Sequence, residues 1–129
     1  MLSQIAAYLV AQGVCTAVNT DLFIAQVPNT PDLCVMLFEY AGSPPELTHD
    51  GVYDVKPSLQ VRTRGARNAY GTGIAKAEAI EAELHGLANT TLSGTTYKLI
   101  RAQGSPGFMG RDSEGRPEWS QNFMLIRGS

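Results

Sequence analysis

Leu33-Cys34-Val35-Met36-Leu37-Phe38 is apolar at every position. Neighbouring side chains of a strand point to opposite faces, so such a run needs cover on both. It predicts an interior strand, running on to Tyr40, covered by helices or by another subunit. Upstream, Asp21 to Val27 reads as a further strand. Pro28-Asn29-Thr30-Pro31-Asp32 is the turn between them, because its two prolines withhold ladder donors. Downstream, Leu59, Val61 and Thr63 alternate with Gln60, Arg62 and Arg64, which predicts a half-buried strand with its arginines on the wet face.

The chain outside this centre alternates helical and extended patterns. Leu2, Ile5, Ala6, Leu9 and Val10 recur at helical spacing, and Gly13 is placed to end that helix. Ile74, Ala77, Ile80, Leu84 and Leu87 predict a second helix between Tyr70 and Ala88, with Lys76, Glu78, Glu81 and Glu83 on its polar side. Extended segments follow around Thr90 to Leu92, from Thr95 to Ala102 and from Trp119 to Arg127. Residues 42–57 and 103–117 read as long loops, the second with a tight turn at Asp112 to Gly115. The expected fold class is α+β: a single mixed, mostly antiparallel sheet with two helices packed on one face and long loops, one domain over 1–129. Gly128-Ser129 is set aside as an appended remnant.

A chain of 129 residues with 43% hydrophobic and 17% charged residues has enough apolar surface for a core without staples. Two cysteines, Cys15 and Cys34, are too few for a secreted disulfide framework and read as buried, reduced thiols. The apolar stretch from Leu2 to Val18 lacks a positive leading region, so it does not read as a signal peptide. No apolar run approaches the ~20 residues of a membrane span. The expected setting is therefore a cytoplasm.

No catalytic or metal motif emerges. Gly71-Thr72-Gly73 lacks the third glycine of a dinucleotide loop, Lys76 standing in its place, and no Gly-Lys-Ser/Thr completes a P-loop. These glycines read as a flexible strand-to-helix turn. His49 beside Asp50 has no nucleophile placed near it, and His85 reads as a cation at a helix C-terminus. Cys15, Cys34, His49 and His85 do not have metal-ligand spacing. Asn89-Thr90-Thr91 fits a glycosylation acceptor only by chance. Trp119 and Phe123 share a face and read as core, with Phe108-Met109 in the preceding loop as an exposed anchor or as further core.

Charge is distributed unevenly. The first 55 residues hold Asp21, Asp32, Glu39, Glu46, Asp50 and Asp54 but no Lys or Arg, whereas Lys56, Arg62, Arg64, Arg67 and Lys76 follow without an acid among them. Opposite charge on two faces attracts copies head to tail, and such contacts close into rings when the rotation allows. The expected subunit or partner contacts are Asp50, Asp54, Arg62, Arg64, Arg67, Phe108, Met109, Arg111 and Arg116. A net charge of −2 gives no global reason for nucleic-acid binding, and three arginines without interleaved aromatics are a weak phosphate track.

Several short motifs follow one another in a characteristic order. They are Phe23-Ile24 before a Pro-x-x-Pro turn, the apolar strand ending Glu39-Tyr40 before Gly-Ser-Pro-Pro-Glu, and Pro57-x-Leu59-Gln60-Val61-Arg62-x-Arg64-Gly65. Leu84-His85-Gly86-Leu87 and Gly110-Arg111-Asp112-x-x-Gly115-Arg116-Pro117 complete the series. In this order the chain resembles small bacteriophage minor capsid proteins of the tail terminator type, also called tail-completion or head-to-tail joining proteins. The resemblance implies a non-enzymatic subunit without cofactor, forming a hexameric ring on the finished tail tube. Its implied partners are copies of itself, the tail tube protein and a head-completion or connector protein, in the virion, with DNA passing through the ring without specific binding. The alternatives are a head-completion or connector protein, or a non-viral binding module that uses Arg62, Arg64 and Arg67 on an acidic ligand.

Overall fold

The structure is a computed structural model and describes residues 1–47 and 53–128. Its elements are α1 (Leu2–Ala11), β1 (Leu22–Ile24), β2 (Cys34–Leu47), β3 (Tyr53–Arg64), α2 (Tyr70–Leu84), β4 (Leu87–Leu92), β5 (Thr95–Ala102), β6 (Gly107–Arg111) and β7 (Pro117–Gly128). The strands form one sheet in the order β1-β2-β3-β7-β5-β4, and β6 is a further partner of β7. Among the described strands β1 and β2 run parallel and the other pairings are antiparallel. This is the expected α+β class with a mixed, mostly antiparallel sheet.

Alternation along the strands sorts the core. Val35, Leu37, Leu59, Val61, Phe123 and Leu125 face the helices and join Ile5, Leu9, Ile80 and Leu84 in one buried cluster. The sheet curls so that α1 touches β1 and β2 at one end and β4 at the other. Gln4 of α1 spans this junction, donating to Thr95 Oγ1 at 2.7 Å and accepting from the Tyr97 hydroxyl. The second face of β2 is buried at Cys34 and Met36, as its sequence demands, by segments of the same chain. Cys34 and Met36 pack with Phe23, and the 28–32 turn lies over the neighbouring Arg64.

Four local expectations are corrected. Residues 42–47 and 53–57 are not loop: β2 and β3 continue through them, with register shifts between Tyr40 and Ser43 and between Ser43 and Glu46 that absorb the Gly/Pro composition. The 103–117 connection contains the strand β6. Helix α2 ends at Leu84, and Leu87 and Ala88 belong to β4, because Gly86 turns the chain with φ +87°. The His85 ring is engaged by β5 rather than by its own helix end, its Nδ1 accepting the Ala102 N–H at 3.0 Å.

Candidate interaction surface

The Gly110-to-Pro117 motif is a hairpin built around one carboxylate. Asp112 Oδ1 accepts the backbone N–H groups of Glu114 and Arg116 at 3.0 and 2.9 Å, and Oδ2 accepts Arg116 Nε at 2.8 Å. Gly115 closes the turn at φ +78° with its N–H on Asp112 O. Burial tends to raise the Asp112 pKa, but the hydrogen bonds from Arg116 and Glu114 outweigh it and hold the carboxyl below its usual value.

From this hairpin Arg116, 7% exposed, reaches across the sheet to Asn29 O at 2.6 Å and Asp32 at 3.3 Å. Arg64 grips the same turn. It is 1% exposed, and its three nitrogens donate to the carbonyls of Asp32, Pro28 and Pro31 at 3.1, 2.7 and 2.8 Å. The expectation that Arg64 lies on a wet face is therefore corrected: alternation sends it to the helix-free face, but the 28–32 turn covers that face there. Arg111 ties a third segment, donating to Arg67 O at 2.9 Å and Gly115 O at 2.7 Å. Arg64, Arg111 and Arg116 thus staple the 28–32 turn, the 65–69 connection and the β6–β7 hairpin together.

The remaining expected contact residues divide by exposure. Arg62 is partly exposed, pairs with Glu118 at 3.3 Å and lies 5.6 Å from the centre of the Phe38 ring. Its Nε is buried without a hydrogen-bond partner among the described residues. Asp54 pairs with Lys98 at 2.6 Å. Arg67 is exposed and lies over Gly115, where a β-carbon would meet its Nε at 3.2 Å. Asp50, and with it the His49-Asp50 pair, lies outside the described residues. Asp32 thus pairs with Arg116, Asp54 with Lys98 and Arg62 with Glu118, each within the same protomer.

Phe108 and Met109 are exposed, at 51% and 52%. They occupy β6, which pairs only with β7 among the described residues. Phe108 is not isolated. Its ring centre is 5.6 Å from that of Tyr70 and 5.9 Å from that of Trp119, and Tyr70 and Trp119 are 5.0 Å apart. Buried Trp119 is the floor of this ledge, while Tyr70, 46% exposed, and Phe108 stand on it. Sequence reasoning missed Tyr70 and Glu118 because their partners lie far along the chain. It also misread Gly73, which sits inside α2 where only a hydrogen leaves room for Trp119. The described residues contain no cluster of metal ligands, and no helix among them is long and apolar enough to cross a membrane.

The same motifs and sheet carry a family assignment. Residues 8–127 match the model of the bacteriophage tail terminator proteins. The chain belongs to that family. It is a structural component of the phage tail and hence of the virion, where it assembles with other tail and head proteins. No curated protein matches the chain. Among solved structures, a chain described as "Virion of native gene transfer agent (GTA) particle" has the same fold, with a TM-score of 0.64 and 18% identity over 98% of this chain and 94% of that one. For this family member, the staple explains the Gly-Arg-Asp-x-x-Gly-Arg-Pro motif as architecture, and the aromatic ledge is the exposed apolar chemistry it holds in place.

Proposed function

We propose that the chain is the subunit of a ring, a hexamer, seated on the head-proximal end of the tail tube. One ring face stops tube polymerisation and the other offers a docking surface to a head-completion or connector protein. DNA passes through the lumen without specific binding. The family match over residues 8–127 carries this reading. A rigid sheet with an exposed aromatic ledge on a stapled hairpin suits a part that must present fixed surfaces to neighbours. The reading of Arg62, Arg64 and Arg67 as one cationic patch for an acidic ligand loses its basis, because the Arg64 guanidinium is spent on three backbone carbonyls and Arg62 has Glu118.

The test is absolute mass by light scattering across protein concentration and ionic strength, with and without purified tail tubes. The expected species is sixfold, free or on the tube end, and tubes assembled in its presence stop at one length. A protein that stays monomeric and leaves tube growth unchanged would overturn the proposal.

A further inference from the structure

Two apolar features flank α2 on opposite sides, and each has what the other lacks. On the side toward β6 and β7, Tyr70, Phe108 and Met109 project half exposed from the Trp119 floor. On the side toward α1, an open groove of about 510 Å³ runs past Gly13, Val14, Leu33, Ala75, Lys76 and Ala79. Its size falls in the ~300–1,000 Å³ range of pockets that accept a bound group, and its walls are mostly small or apolar. Lys76 does not place a free ammonium in it, because Nζ donates to Val14 O at 2.6 Å.

Resting on the ring reading above, we infer that the Phe108-Met109 ledge of one protomer inserts into the α1–α2 groove of the next, and that this is the contact that closes the ring. A ring needs a heterologous interface, in which two different patches of one protomer meet their complements on two neighbours. The ledge and groove are two such patches, held in fixed relation by α2, which contributes Tyr70 to the first and Ala75 and Ala79 to the second. Charge follows the same polarity. Exposed Arg67 and Arg111 flank the ledge, whereas Glu83 continues the Thr72-Lys76-Ala79 row of α2 that walls the groove. Simple strand addition along β6 fits less well, because a register shift between Phe108 and Gly110 breaks the regular edge at Met109. Side chains, not backbone, are what this edge offers.

Cysteine pairing tests the contact in the intact chain. Met109→Cys and Ala75→Cys both alter exposed positions, and circular dichroism of each variant checks that the fold is kept. The native Cys15 and Cys34 are buried at 4% and 1% exposure, so the unsubstituted protein serves as a blank. Under mild oxidation, a mixture of the two variants is expected to form a covalent dimer that neither forms alone. The double variant is expected to give a ladder ending at the ring mass. A sixfold mass without cross-links would overturn the contact while sparing the ring. Absence of any sixfold species, free or on tubes, would remove both. Protection of the Met109→Cys thiol from a labelling reagent only when tail tubes are added would assign the ledge to the tube and overturn the inference.

Discussion

A β-carbon placed on Gly73 would lie 2.3 Å from Cζ3 of Trp119. The same glycine also approaches Gly65, whose own β-carbon would meet Gly73 Cα at 3.2 Å. Helix α2 is thus seated directly on the indole, and the indole in turn carries the aromatic ledge.

Gly73→Ala is expected to destabilise the protein by about 1–3 kcal/mol, the usual cost of overpacking. Alanine favours a helix interior by about 1 kcal/mol over glycine, so the sign of the result discriminates between the two effects. Chemical denaturation measures it. A stabilised variant would mean that Trp119 has room to move.

Arg64→Ala removes the donors for three backbone carbonyls and leaves them under the turn, with an expected loss of about 3 kcal/mol. Arg62→Ala breaks one partly exposed pair and is expected to cost about 1 kcal/mol or less. Equal losses in urea unfolding would contradict the staple.

Asp112 has a depressed folded-state pKa, so its contribution is present above the unfolded carboxylate value of about 3.9 and is lost as pH falls through the lower folded value. Asp112→Asn is therefore expected to be less stable than the parent at neutral pH. The two should converge in strongly acidic solution, where the parent is also uncharged at this site. Thermal melts at both pH values read the difference; a constant gap would place the effect elsewhere.

Burial pushes the Cys15 thiol up to about 11 and raises that of Cys34 as well. In mildly alkaline buffer the folded protein is expected to resist a thiol reagent at both positions and to release two reactive thiols in denaturant. Rapid labelling of the native state would show that α1 and its following loop open readily.

Phe108→Ala is expected to cost only about 0.5–1.5 kcal/mol, the worth of an aromatic pair, because half of its ring is already in water. Trp119→Ala is expected to cost about 3–5 kcal/mol. If Phe108→Ala folds normally yet fails to join tails, the ledge acts outward. Unfolding on the scale of Trp119→Ala would make Phe108 part of the core.

Legibility followed periodicity. Leu59, Val61 and Thr63 could be assigned to the buried face, and Ile80 and Leu84 to the core, because strand and helix geometry repeats over neighbouring residues. Strand β6 was hidden, since Gly107 and Gly110 favour no extended pattern and the strand exists through its pairing with β7. The same holds for the distal parts of β2 and β3, whose Gly/Ser/Pro composition reads as loop. Phe108 was recognised as exposed or core, but Tyr70 and Trp119 had to be brought beside it by the fold.

The sequence alone determined which strand positions face the helices, where both helices lie and, through the order of its motifs, the family. Only the tertiary structure decided what the charges do. Arg64 and Arg116 reach partners 32 to 87 residues away, so their fate depends on which turns stack over which strands. Alternation assigns a side chain to a face of the sheet, a local property of the backbone. Whether that face meets water is a property of the whole chain.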